Sequence, residues 1–297
     1  MRMCNSDPAL RRWWSVGLRL RLQPAYALSR DRAMVFSLPV WLRKSRLARA
    51  LRQYPLYDPP HKVEERLLSR ERAAENFAYF MRVRSDRLAH FRQWLREQFG
   101  IKVSLDEKGM RALCRWGSKY AGLLLAKGTD GYPTGSYFTY DPPWTEENAG
   151  NNVVFDIGLA LGEAIIANCP KLRWDFDPIS AMLPSTARLR KQTSGMGFWR
   201  PVLCGFDNPV YEVIPLHCAY DFSFSMMVNT TSVEGIKRFH EQPRFVQHLI
   251  FEQLLNSYRD TVKNYPDGDP AGLRRELGTE EYLKLVDDEA NQGDHDE

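Results

Sequence analysis

Residues 153–168 read Val-Val-Phe-Asp-Ile-Gly-Leu-Ala-Leu-Gly-Glu-Ala-Ile-Ile-Ala-Asn, the most apolar helix candidate in the chain. Because this helix would be apolar on nearly every side, it is expected at the centre of the fold. Gly158 and Gly162 share one face and predict a close approach by another element. Asp156 and Glu163 also share a face, and each needs a partner because a lone ionised carboxylate is costly to bury.

Two amphipathic helices are expected before this segment. Residues 63–99 are dense in Arg and Glu and carry apolar side chains at helical spacing, which predicts one helix or two, closed by Gly100. Ser104 followed by Glu107 is a capping-box pattern, and it predicts the start of a second helix over about residues 105–126. We expect the two to form an antiparallel helical pair.

Strands and further helices are expected after the central helix. Residues 171–176, 198–206 and 210–228 carry β-branched and aromatic side chains and predict strands of a mainly antiparallel sheet. A short helix over residues 232–240 and a longer one after Pro243 follow. The predicted fold class is therefore α+β, with a helical pair, a central apolar helix, a mainly antiparallel sheet and C-terminal helices.

The 297 residues divide by charge into three parts. Hydrophobic residues make up 43% of the chain and charged residues 26%, as in ordinary globular proteins. Residues 1–62 hold thirteen Lys and Arg against three Asp, whereas residues 276–297 hold nine acids against one Lys. We expect a partly flexible basic N-terminal extension over 1–62, a single α+β domain over 63–265 and an acidic tail over 266–297.

Cysteine and apolar patterns indicate the cellular setting. The five cysteines form no closely spaced, even-numbered framework, so we expect reduced thiols and a cytoplasmic protein. No uninterrupted apolar run reaches about 18 residues, so no membrane span is predicted. No Cys-x-x-Cys or His-Glu-x-x-His spacing occurs, and His217 and Cys218, adjacent on a predicted strand, would face opposite sides. We expect no metal site and no cofactor.

The acids of the central helix have two interpretations. In one, a hydrolase or nuclease uses a divalent metal held by carboxylates on the helix and the next strand, namely Asp156, Glu163, Asp175 and Asp177. In the other, Asp156 caps amides or pairs with an arginine, and Glu163 pairs with Arg173 or another cation. We expect the structural role, because ion-pair networks perturb carboxylates as readily as catalysis does.

Residues 127–152 form a long segment rich in Gly, Pro and aromatic side chains. It exceeds most loops of compact domains and is expected to be functional. Its aromatic residues are candidates for a protein-binding surface, because such side chains are enriched at interfaces: Tyr132, Tyr137, Phe138, Tyr140 and Trp144. In the alternative, they pack over the sheet as a small second core.

The basic N-terminal residues also admit alternatives. Their Arg side chains make nucleic acid a candidate partner, and Arg-rich, acid-poor leaders also occur in organelle transit peptides. We expect instead a weakly packed extension, with Met1 or Met34 as the start of translation. Trp13, Trp14 and Trp41 would then need something to cover them.

Residues 153–163, followed by Leu172-Arg-Trp174, resemble uncharacterised bacterial α+β proteins in which an apolar Leu-Gly-Glu helix precedes a strand bearing Trp. The stretches 87–95 and 105–107 fit the same pattern, so the resemblance covers about residues 85–178. It implies an immunity-like or accessory role. We therefore expect a non-enzymatic, cytosolic, protein-binding factor, with a metal-dependent hydrolase or nuclease and nucleic-acid binding through the N-terminal arm as the alternatives.

Overall fold

The computed structural model describes residues 39–63, 68–125, 149–176, 199–207 and 211–268. Within these ranges the protein is mostly helical, with a two-stranded antiparallel sheet. The helices in chain order are α1 (Val40–Leu51), α2 (Arg70–Phe99), α3 (Glu107–Tyr120), α4 (Ala149–Asn168), α5 (Pro215–Thr230), α6 (Val233–Glu241), α7 (Arg244–Phe251) and α8 (Gln253–Asn264). The strands are β1 (Arg173–Phe176) and β2 (Pro201–Cys204).

Helix α4 is the predicted central helix. Fourteen of its 20 residues are buried, and it packs against α2, α5 and α8. By length and composition alone, this helix could also cross a membrane, although no uninterrupted apolar run in the sequence predicted a span. Most of that stretch is buried inside the protein, as in the core helix of a globular fold.

Glycines on α4 allow the predicted close approaches. A Cβ atom on Gly158 would lie 2.7 Å from Cα of Leu216 and 2.9 Å from the carbonyl oxygen of Pro215, at the start of α5. A Cβ atom on Gly162 would collide with the ring of Trp174 on β1. The two glycines therefore admit different neighbours, one a helix and the other a strand.

Helix α2 is one continuous helix of 30 residues rather than two. The Ser69 side chain caps its start by accepting a hydrogen bond from the backbone N–H of Arg72. Its C-terminus is closed by Gly100, as predicted, with a left-handed φ of 72°. The end of α2 contacts α3 through aromatic rings, with Phe99 lying 5.5 Å from Trp116 between ring centroids.

The cap of α3 lies two residues after the predicted one. Asp106 occupies the N-cap position, and its Oδ1 accepts a hydrogen bond from the backbone N–H of Gly109 at 2.8 Å. The Ser104 hydroxyl donates to the same carboxylate at 2.6 Å. The capping-box prediction was wrong, because the Asp106 carboxylate rather than the Ser104 hydroxyl accepts from the free N–H of the first turn. Ser104 instead donates to that carboxylate.

Among the residues that the structure describes, the sheet is smaller than predicted. Strands β1 and β2 pair antiparallel, with Trp174 opposite Leu203, which agrees with the strands predicted over residues 171–176 and 198–206. The strand predicted over residues 210–228 was wrong, because Pro215–Thr230 is helical. Its buried residues recur every three or four positions, which is the helical period: Leu216, Ala219, Phe222, Met226 and Thr230.

This correction changes the environment of His217 and Cys218. Both lie in the first turn of α5 rather than on opposite faces of a strand. The Nε2 atom of His217 lies 3.0 Å from Oδ2 of Asp221, one turn later.

The start of the first C-terminal helix agrees with the prediction, but the longer helix predicted after it is two helices. Ser232 caps α6 by accepting from the N–H of Gly235 at 3.0 Å. The longer helix expected after Pro243 is divided at Glu252, whose φ of −99° and ψ of 17° lie outside the helical region. The Glu252 carboxylate contacts Arg111 and Arg259, which holds the chain at this corner.

Helix α1 lies within the predicted basic extension. Its Leu47 and Ala50, together with Tyr54 and Tyr57 after it, are buried in the core. The four positions are three or four residues apart, so the chain after α1 keeps the same side toward the core. Residues 40–57 are therefore part of the folded protein.

Candidate functional site

Asp156 is enclosed by a buried hydrogen-bond network. Its side chain is 1% exposed and accepts hydrogen bonds from Nε of Arg87 to Oδ1 at 2.9 Å and from Nη2 to Oδ2 at 2.7 Å. The Tyr54 hydroxyl donates to Oδ2 at 2.6 Å. One turn earlier on α4, the Asn152 side chain accepts from the backbone N–H of Tyr57 at 2.6 Å. Asp156 thus pairs with an arginine, as one of the structural interpretations predicted.

Burial and neighbouring charges change the pKa values of Asp156, Tyr54 and Arg87 in different ways. Burial raises the pKa of Asp156, although the charge and hydrogen bonds of Arg87 oppose it. Burial also raises the pKa of Tyr54 well above its ordinary value, and the neighbouring carboxylate raises it further. Burial is the largest single effect on Arg87 and would lower its pKa, but the charge and hydrogen bonds of Asp156, together with the two neighbouring tyrosines, outweigh burial and raise it. Tyr54 therefore stays protonated and Arg87 charged, which suits a fixed structural network.

Glu163 pairs with a different arginine from the one that binds Asp156, and this second ion pair is more accessible to solvent. Its Oε1 accepts from Nη1 of Arg84 at 2.7 Å and from the indole Nε1 of Trp174 at 2.8 Å. The predicted partner Arg173 contacts Asp175 instead, at 3.7 Å. Because the Glu163 side chain is only 17% exposed, the contact ties α4 to α2 and β1 rather than presenting an open carboxylate.

The four candidate carboxylates do not come together as far as the structure describes them. Asp156 and Glu163 bind different arginines, and Asp175 lies on β1, where it accepts from the backbone N–H of Phe176 at 2.8 Å. Asp177 lies outside the described residues. Across the described ranges, no three His, Cys, Asp or Glu side chains are placed to hold a metal ion.

The described cysteines are free thiols. Burial raises the pKa of Cys114 to about 12 and those of Cys204 and Cys218 to about 11. Since the thiolate is the nucleophile, these groups are unsuited to nucleophilic catalysis.

A surface that sequence reasoning did not single out lies on α7. This helix has no buried residue, and it exposes Phe245 (53%) and Leu249 (38%), one turn apart. The longer helix predicted after Pro243 includes both residues, but the prediction did not assign them to a surface. The aromatic candidates of the sequence, Tyr132, Tyr137, Phe138, Tyr140 and Trp144, lie outside the described residues.

Contacts on the other side of α7 hold it in place. The ring of Phe251 packs edge to face on the buried Phe239 of α6, with 4.7 Å between ring centroids. The Gln247 side chain donates to the backbone oxygen of Gln242 at 2.8 Å. Gln247 is therefore hydrogen-bonded to the turn that joins α6 to α7, while Phe245 and Leu249 face solvent.

Comparison with known proteins adds no relative, since no family model, curated protein or solved structure matches this chain.

Proposed function

We propose that the protein is a non-enzymatic binding factor whose partner is another protein, and that α7 is its docking surface. The observation that carries the proposal is the exposure of Phe245 and Leu249, one turn apart, on a helix whose other face packs against the core through Ile250 and Phe251. The apolar residues of a helix in a globular protein normally lie on its buried face, so a second apolar face indicates a surface that a partner covers.

Covering this pair would be favourable. Fully burying an exposed large apolar side chain contributes about 1.5–3 kcal/mol, and covering the remaining exposed part of Phe245 or Leu249 contributes roughly half of that, so each residue can act as an anchor. Two anchors four residues apart on one helix are the pattern by which an amphipathic helix binds a hydrophobic groove. The contacts of Phe251 and Gln247 fix the helix beforehand, which lowers the entropy lost on binding.

Charge adds little preference at this surface. Helix α7 carries Arg244 and His248 and no acid, whereas the neighbouring α6 exposes two cations and two acids, namely Lys237, Arg238, Glu234 and Glu241. We therefore expect a partner protein whose groove is mainly apolar, because the charges around the two anchors nearly balance.

The arginine partners of Asp156 and Glu163 support a binding role over catalysis by those groups. The aromatic residues from Tyr132 to Trp144 remain a second proposed protein-binding surface. Replacing Tyr137, Tyr140 and Trp144 together by Ala tests that surface independently of α7, since a binding surface predicts lost partner binding with the fold intact.

The test is to place a photo-crosslinking phenylalanine analogue at Phe245, identify the captured protein, and purify it. Calorimetry with this partner should give a defined stoichiometry, and Phe245→Ala with Leu249→Ala should weaken binding by about a hundredfold or more. The control replaces Leu56 and Val63, two other exposed apolar residues, by Ala and should bind normally.

Equal binding by the α7 double variant and the wild type would refute the docking surface. The proposal also fails if purified crosslinked proteins show no measurable affinity, because the crosslinks would then reflect chance encounters.

A further inference from the structure

Helix α1 and the residue after it concentrate positive charge. Residues 40–52 contain five cations and no acid: Arg43, Lys44, Arg46, Arg49 and Arg52. Like charges so close together repel one another, so the segment gains stability when an anion lies beside it.

Two of these cations form contacts within the protein, one of them buried and the other at the surface. The buried Arg43 donates from Nη1 to the backbone oxygen of Lys119 at 2.7 Å and from Nη2 to that of Thr230 at 3.2 Å. The guanidinium of Arg46 lies over the ring of Phe99 at 5.1 Å and donates to the backbone oxygen of Gln98 at 2.6 Å.

The other three cations face solvent. Lys44, Arg49 and Arg52 are exposed, and none forms an ion pair with a residue in the described ranges. Trp41, one turn before Lys44, is 67% exposed. At about 1.5 Å rise per residue, Lys44 to Arg52 spans about 12 Å along the helix, which is enough for two or three successive phosphates.

The orientation of α1 argues against a membrane surface as the anionic partner. Helices that bind membrane surfaces insert their apolar face among the lipids. In α1 that face, with Leu47 and Ala50, is buried in the core of the protein itself. The exposed side of α1 therefore presents the cations, Trp41 and the partly exposed Leu42, which is too small an apolar surface for insertion among lipids.

We propose that the exposed face of α1 binds single-stranded nucleic acid. Lys44, Arg49 and Arg52 contact successive phosphates, and an unpaired base stacks on Trp41. Cations along the backbone combined with an aromatic platform are the means by which proteins hold single strands with little sequence preference. This site lies on a different helix from the proposed protein-docking surface, and neither depends on the other.

The experiment measures fluorescence anisotropy of a labelled oligothymidine of about 20 nucleotides with the full chain. Replacing Lys44, Arg49 and Arg52 by Gln should weaken binding at least about tenfold and reduce the slope of log affinity against log salt by about 2, since each phosphate contact contributes about 0.7. Trp41→Ala should weaken binding of the single strand by about tenfold but leave binding of a duplex of the same length unchanged.

The matched control replaces three exposed cations elsewhere, Arg70, Arg72 and Lys108, by Gln. This variant has the same net charge and should bind like the wild type, and circular dichroism establishes that each variant is folded. The proposal is overturned if the α1 variant binds as tightly as the wild type, if the control weakens equally, or if the protein binds phosphatidylserine vesicles but no oligonucleotide.

Discussion

Arg87 binds both carboxylate oxygens of Asp156, a residue 69 positions later in the chain, and both side chains are buried. The pair joins α2 to α4, and Tyr54 adds the segment after α1 to the same network. Three parts of the chain thus meet at one buried carboxylate, which makes Asp156 a structural determinant of the core.

Removing the charge of Asp156 should therefore be strongly destabilising. Asp156→Asn keeps the shape but leaves the buried guanidinium of Arg87 without a counter-ion, and such losses are about 3–5 kcal/mol. Urea unfolding should show the loss as a lower midpoint with an unchanged slope.

The double variant Asp156→Leu with Arg87→Met separates the ion pair from the packing. Both charges are removed together, and adding Tyr54→Phe removes the hydroxyl that would otherwise lose its acceptor, so the combined variant should recover most of the stability that Asp156→Asn loses. An unfolding midpoint of Asp156→Asn equal to that of the wild type would instead indicate that the network contributes nothing.

Close packing of α4 on α5 gives a second prediction. Gly158→Ala places a methyl group against the backbone of Leu216 and Pro215, which cannot move aside as a side chain can. Overpacking costs about 1–3 kcal/mol, more than the gain of about 1 kcal/mol in helix propensity, so the variant should unfold at lower urea.

Ser45→Ala is the control for this substitution. Ser45 is exposed on α1, so the change tests helix propensity without packing and should leave stability equal or slightly higher. If Gly158→Ala were as stable as the wild type, the helices would have room to separate.

The parts of the fold that were predictable are those coded by nearby residues. The apolar run of α4, the glycines that admit its neighbours and the left-handed turn at Gly100 all follow from local rules. Residues 215–230 were misassigned even though their buried positions are helically spaced, because the Tyr-Asp-Phe-Ser-Phe-Ser sequence from Tyr220 alternates like a strand.

Pairings between distant segments could not be predicted. The sequence indicates that Asp156 and Glu163 need partners, but the chain offers 41 Lys and Arg, and only tertiary packing selects Arg87 and Arg84. The exposure of Phe245 is likewise a tertiary property. In the sequence, the apolar spacing of α7 continues into α8 and predicts one helix. The break at Glu252 separates the two helices, and this break was not predicted.

The buried thiols should be slow to react. With pKa values of about 12 for Cys114 and about 11 for Cys204 and Cys218, almost no thiolate is present at pH 8. Ellman's reagent should modify them about a hundredfold more slowly in the folded protein than in denaturant. Mass spectrometry after partial labelling assigns the rate to each cysteine, and rapid native labelling of Cys114 would contradict its burial.

The cap of α3 predicts a specific dependence of stability on pH. Hydrogen bonds from the Ser104 hydroxyl and from the N–H of Gly109 lower the pKa of Asp106 below its ordinary value. A carboxylate whose pKa is lower in the folded state stabilises that state above its unfolded pKa of about 3.9, and the contribution is lost as the pH falls through the folded pKa. At neutral pH, Asp106→Ala should lose about 1 kcal/mol of unfolding free energy.

The control is Asp106→Asn, whose amide oxygen can still accept from Gly109 but does not titrate in this range. Urea unfolding from neutral pH down to about pH 2 should show the stability gap between wild type and Asp106→Ala closing with acid, because a protonated carboxyl is a weaker acceptor. The gap between Asp106→Asn and Asp106→Ala should stay constant. If the wild-type gap were equally constant, the capping interaction would not depend on the charge of Asp106.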